Sequence, residues 1–103
     1  PQAPGHTLLI PKYGTEDIFN LPKDYFIHLM DAKQRIAKAI KNAYEPTGVM
    51  IMQLNGKEAG QTVFHLHFHI IPRKDGLNYK FHSSEMVNFK ELEKEAEKIK
   101  KWL

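Results

Sequence analysis

A chain of 103 residues with 42% hydrophobic and 26% charged side chains reads as one folded domain and excludes a disordered or fibrous polymer. It has no cysteine, which removes disulfide and thiolate-metal chemistry and is compatible with a cytoplasmic setting. The net charge of +3 comes with lysines concentrated on helical patterns, which suits a phosphorylated small molecule and argues against a nucleic-acid surface.

No apolar run approaches the roughly 18 residues of a membrane span, and none has the pattern of a secretory signal. The chain opens Pro1-Gln2-Ala3-Pro4-Gly5-His6 and enters a strand pattern almost at once, so it is expected to continue something longer. A domain this short buries only about two-thirds of its unfolded surface, which favours support from a partner subunit.

Pro4-Gly5 marks a turn, and His6 to Ile10 reads as a short buried strand stopped by Pro11. Lys12 to Asn20 is a polar connector. From Leu21 to Tyr44, Phe26, Leu29, Ile36, Ile40 and Tyr44 recur at helical spacings with Lys33, Lys38 and Lys41 between them. Pro22 suits a first helical turn, and Pro46 with Gly48 stops the helix. Val49 to Leu54 predicts a second strand, and Asn55-Gly56 opens a loop that runs to Gly60. Thr62 to Ile71 predicts a third strand, closed by Pro72. Arg73 to Ser84 is expected to be irregular, with turn signals at Gly76 and Asn78. Asn88 to Leu103 predicts a helix whose apolar stripe is Phe89, Leu92, Ala96, Ile99 and Leu103. The loop of Asn55 to Gly60 fits an antiparallel hairpin. The order strand, helix, strand, strand, helix predicts an α+β domain with helices on an antiparallel sheet.

Chemistry concentrates in Val63-Phe64-His65-Leu66-His67-Phe68-His69-Ile70-Ile71. Alternation along a strand sends Leu66, Phe68 and Ile70 to one face and His65, His67 and His69 to the other, about 6.5–7 Å apart. Three readings fit such a row: histidines at chance spacing on a solvent face, ligands of a metal ion, or a nucleophilic imidazole with neighbours for a phosphate. A metal would draw further ligands from His6, His28 or His82, but no acidic residue accompanies the triplet. The third reading explains the arrangement. A neutral imidazole attacks phosphorus near pH 7, a hydrogen bond fixes its tautomer, and flanking imidazoles stabilise the phosphate oxygens.

His65-Leu66-His67-Phe68-His69-Ile70-Ile71, within the string Ala59 to Arg73, resembles the signature of the histidine triad family. Pro4 to Lys12 resembles the strand carrying that family's fourth histidine, and His6 and His67 lie about sixty positions apart, in the family's order. The resemblance implies a HIT-like fold: an antiparallel sheet with a long helix and a C-terminal helix packed on it. It implies hydrolysis at the phosphorus attached to a nucleoside, in a phosphoramidate or a dinucleoside polyphosphate, through a covalent nucleotidyl-histidine. By the same token His67 is the nucleophile, His69 contacts the phosphate, and His65 and His6 support the network. Gln61, Thr62 and, more loosely because the loop length varies, Asn55 or Gln53 match substrate-binding positions. A purine nucleotide is the implied substrate, a homodimer using the Leu21–Tyr44 helix and the Val49–Leu54 strand the implied assembly, and no cofactor is implied.

The chain departs from the pattern in two places. The family's upstream helix and hairpin, which build one wall of the nucleoside pocket, have no counterpart before Pro1. No cysteine is available for the structural zinc of some members, and Tyr13-Gly14 follows Lys12 where they carry a histidine, so no metal is expected. A purine nucleotide-binding module with little turnover is the alternative in keeping with the first departure.

Overall fold

The computed structural model describes residues 3 to 74 and 88 to 103. Its elements are β1 (Thr7–Leu9), α1 (Lys23–Tyr44), β2 (Gly48–Met52), β3 (Phe68–Arg73) and α2 (Phe89–Lys100), with single 3-10 turns at Ile18–Asn20 and Lys57–Ala59. Among the described residues the strands form one sheet, ordered β1-β3-β2 and antiparallel throughout. Thr7 faces Ile70 across one ladder and Met50 faces Ile71 across the other. This is the α+β arrangement expected from the pattern of elements. The irregular segment expected after Arg73 lies, beyond Lys74, outside the described residues, as does His82.

α1 begins directly after Pro22, whose φ of −62° suits entry into a helix. It ends where Glu45 turns left-handed at φ 48° and donates its N–H to the Lys41 carbonyl at 3.0 Å, with Pro46 barring another turn. Its inward residues Ile36, Ala39 and Ile40 pack with Ile70, Val49 and Ile99 of α2. A second cluster joins Leu29 to Leu66 and Phe68, flanked by Leu9, Ile18 and Leu21. Leu66, Phe68 and Ile70 thus occupy the core side, as alternation predicted. Each fully buried Leu or Ile contributes about 1.5–3 kcal/mol, so these few residues set the sheet's position against the helices. The outer part of α1 leaves Phe26, Ile27 and Met30 exposed, as the edge strand β2 does Ile51.

Tyr44 ties three parts of the chain together. Its ring lies against Gly5, its hydroxyl donates to the Glu95 carboxylate, and the Lys98 ammonium sits 4.3 Å from its ring centroid. Burial, helped by the bond to Glu95, raises the phenol's pKa, so the hydroxyl keeps its proton and its donor role. α2 has its own start signal: Asn88 Oδ1 accepts from the Glu91 N–H at 2.9 Å.

The third strand differs from the expected Thr62 to Ile71. Pairing starts only at Phe68 and continues through Pro72 to Arg73. Residues 61 to 67 leave the ladder because their polar groups bond elsewhere; the Leu66 N–H, for one, donates to the Thr15 carbonyl at 2.8 Å. Pro72 is tolerated because β1 pairs only with Phe68 to Ile70, leaving that side of β3 without a ladder among the described residues.

Candidate active site

β3 and the turn leading into it carry the histidines, and β1 brings a fourth beside them. His67 and His69 sit on the face away from α1, with ring centroids 5.0 Å apart. His69 is buried, while His67 and His65 are half-buried. His6, just before β1, reaches across the sheet: its Nε2 lies 3.0 Å from His69 Nδ1, one nitrogen donating to the other.

The bonds of the other two rings have only one possible polarity, because a carbonyl oxygen accepts and never donates. His67 Nδ1 donates to the His65 carbonyl at 2.7 Å, and His65 Nε2 donates to the Pro11 carbonyl at 3.1 Å. Neutral His67 therefore carries its hydrogen on Nδ1 and its lone pair on Nε2. Neutral His65 is the opposite tautomer. The uniform row of three imidazoles expected from a regular strand is thus broken. His65 precedes the strand and its ring turns to the Pro11 carbonyl, although it still borders the same cavity as His67.

That cavity has a volume of about 330 Å³ and is lined by Leu8, Ile10, Val63, His65 and His67. Two nitrogen-bearing rings on an apolar wall make a site that can hold a flat apolar group beside an imidazole lone pair. Leu8, Ile10 and Val63 were not singled out in the sequence. Their exposure as large apolar residues is a property of the folded surface, and the only earlier signal was their nearness to the histidines along the chain. The Pro11 and Thr15 carbonyls, which orient His65 and the peptide after it, leave no mark in the residue types at all.

The remaining expected residues are placed in two ways. Thr62 is exposed, next to the cavity-lining Val63. Gln61 is only 3% exposed, and its amide bonds to backbone groups of Gly56, Glu16 and Val63. Asn55 bonds to the Ile18 N–H and to the Gln53 amide. Neither Gln61 nor Asn55 borders the histidine cavity. His28 is exposed on α1, away from these groups. Among the described residues no group of three or more His, Cys, Asp or Glu is gathered as a metal site would require.

A match to the HIT domain covers residues 1–76. The chain belongs to the HIT family. An adenosine 5'-monophosphoramidase of Candida albicans is 36% identical across the whole of this chain and 72% of its own length. A bis(5'-adenosyl)-triphosphatase of Dictyostelium discoideum is 37% identical over 94% of this chain and 62% of its own. Among solved structures, a Hit-like protein from Bartonella henselae superposes with a TM-score of 0.90 at 42% identity, covering all of this chain and 74% of that one. Against some curated relatives the HIT chain spans about half their length.

Burial holds the His6 imidazole of this HIT chain down at about pKa 4, with His69 beside it adding to the effect. Its ordinary value is 6.5, so between pH 6.5 and 4 the unfolded chain takes up a proton that the folded chain refuses. The contribution of His6 to stability is therefore whole above pH 6.5 and is lost as pH falls toward 4. Urea midpoints measured from pH 8 to pH 4 are expected to fall less steeply below pH 6.5 for His6→Asn than for the native chain. Parallel curves for the two would show that His6 is not held neutral.

Proposed function

We propose that this chain is a nucleotide hydrolase that cleaves at the phosphorus attached to a purine nucleoside, through a transient nucleotidyl-His67. The observation that carries the reading is the 2.7 Å bond from His67 Nδ1 to the His65 carbonyl, which leaves the lone pair on Nε2. In the first step Nε2 attacks phosphorus while the bond from phosphorus to the leaving amine or bridging oxygen breaks, its electron pair goes to the leaving atom, and that atom takes a proton from solvent. Water then attacks the same phosphorus and gives up one proton to solvent, the phosphorus–Nε2 bond breaks with its electron pair returning to nitrogen, and the monophosphate is released.

The other histidines act on the oxygens. In the productive arrangement neutral His6 donates from Nε2 to His69 Nδ1 across their 3.0 Å separation. Neutral His69 then has its hydrogen on Nε2, the tautomer that donates to a nonbridging phosphate oxygen as charge develops. The low pKa of His6 keeps that ring neutral over the working range. His65 supplies the carbonyl that orients His67, and Thr62 offers a hydroxyl from the exposed loop next to Val63. Leu8, Ile10 and Val63 form an apolar surface for the nucleoside. The two named relatives, an adenosine phosphoramidase and a diadenosine triphosphatase, support purine nucleotides as the substrate class, and phosphoramidates are the first to test.

Rapid acid-free quench of the chain with adenosine phosphoramidate, followed by peptide mass spectrometry, tests the covalent step. The peptide containing His67 is expected to gain one adenylyl group during turnover and to lose it when substrate is exhausted. Turnover with no such mass gain at any quench time rules out the intermediate. Tight binding of adenosine monophosphate with no turnover would instead make this stretch, about half the length of some relatives, a nucleotide-binding module.

A further inference from the structure

Gln61 carries more hydrogen bonds than a loop residue ordinarily needs. Its Nε2 donates to the Glu16 carbonyl at 2.7 Å and to the Val63 carbonyl at 3.0 Å, and its Oε1 accepts from the Gly56 N–H at 2.7 Å. Both amide hydrogens and the amide oxygen are therefore engaged, at 3% exposure. These bonds fasten the loop before the histidines to the connector that follows Pro11. Asn55 fastens the same connector from the other side, its Oδ1 accepting from the Ile18 N–H at 2.9 Å. The Gln53 amide holds Asn55 in turn, at 2.6 Å and 3.1 Å.

The connector matters because of one peptide group. The carbonyl of the His65–Leu66 peptide accepts the hydrogen of His67 Nδ1, and the N–H of that same peptide donates to the Thr15 carbonyl at 2.8 Å. A peptide unit is planar, so whatever aims its N–H also aims its C=O. Thr15 is the residue before Glu16, which Gln61 grips, and its own hydroxyl donates to the Asp17 carbonyl at 3.1 Å. We infer that Gln61, with Asn55, is a positioning residue: it holds the Thr15–Ile18 segment, which aims the His65–Leu66 peptide, which in turn locks His67 in the tautomer whose Nε2 can attack. The inference rests on His67 being the nucleophile. It gives Gln61 and Asn55 a task other than binding phosphate oxygens.

Without the grip of Gln61, the backbone groups of Gly56, Glu16 and Val63 lose their partner and the connector is released. The His65 carbonyl then no longer selects one form of the His67 ring, and the form with hydrogen on Nε2 has its lone pair on Nδ1 and none at Nε2 to offer phosphorus. Displacement on the order of 1 Å at a catalytic group lowers rates by roughly 100-fold. Substrate affinity does not depend on the tautomer to the same degree.

Gln61→Ala and Asn55→Ala, each checked for native circular dichroism, test the chain of contacts. Asn55→Asp serves as the conservative control, because it keeps an oxygen for the Ile18 N–H. Nitrogen-15 NMR of the histidine side chains is expected to show His67 protonated on Nδ1 alone in the native chain and in Asn55→Asp. A mixture of both tautomers is expected in the two alanine variants. Their kcat on adenosine phosphoramidate should fall roughly 10–100-fold with KM changed less than about threefold. His67 remaining wholly Nδ1-protonated in both alanine variants overturns the inference. So does a raised KM at unchanged kcat, which would put these amides on the substrate. Unfolding of both alanine variants also counts against it, since the amides would then support the fold and not the ring. A native chain with no turnover would sink the functional reading and leave the tautomer measurement to decide this inference by itself.

Discussion

Replacing His67 with asparagine is expected to lower kcat on adenosine phosphoramidate by roughly 10⁴-fold or more, the scale on which loss of a nucleophile acts. Asparagine retains an N–H that can donate to the His65 carbonyl, so the peptide group that His67 Nδ1 engages at 2.7 Å keeps a partner. What it lacks is a nitrogen with a lone pair free for attack on phosphorus, because the amide nitrogen's pair is delocalised. The apolar lining from Leu8, Ile10 and Val63 is unchanged, so binding of adenosine monophosphate should move by less than about tenfold. Steady-state turnover and calorimetric titration of the same preparation separate the two effects. An asparagine variant that keeps turnover within tenfold of the native chain would remove His67 from the reaction.

Gly5→Ala is expected to be the most damaging small substitution for the fold. Gly5 has φ +87°, a conformation that alanine adopts at a cost of about 1–3 kcal/mol. A Cβ there would also stand 2.6 Å from Tyr44 Cε2 and 2.9 Å from Tyr44 Cζ, closer than two carbons can approach. The ring has little room to yield, because its hydroxyl is bonded to Glu95 and its face is covered by Lys98. Strain and overpacking together are expected to lower stability by roughly 3 kcal/mol, a fall in Tm on the order of 10–20 °C for a domain of this size. Gly14→Ala is the control: nothing lies within 4 Å of its added carbon, and its backbone has no positive φ. Equal melting temperatures for Gly5→Ala and the native chain would show that Tyr44 does not press on the turn before His6.

Much of this architecture is legible in residue order. The spacing of Leu29, Ile36, Ile40 and Tyr44 marks α1 nearly to its ends, because one face of a helix repeats every three or four residues whatever it packs against. The alternation of Leu66, Phe68 and Ile70 with His67 and His69 sorts core from site in the same way, since a strand has only two faces. The third strand's start is misread for a definite reason. Thr62 to His67 has strand composition, and what removes it from the ladder is the bond from Leu66 to Thr15, a contact between distant parts of the chain. Gln61 and Asn55 are hidden by their chemistry. An amide that binds phosphate and an amide that ties a loop have the same donors and acceptors, so residue type alone cannot divide the two roles.

By itself the sequence determined the helices, the inward and outward sides of the histidine strand, and membership of a family built on that strand. These follow from local periodicity and from a motif that is contiguous along the chain. Tertiary structure alone decided which nitrogen of His65 and of His67 carries hydrogen, that His6 meets His69, and that His65 turns to Pro11. A tautomer is set by the partner a ring finds in space, and those partners are mostly backbone carbonyls, which every residue possesses and no sequence distinguishes.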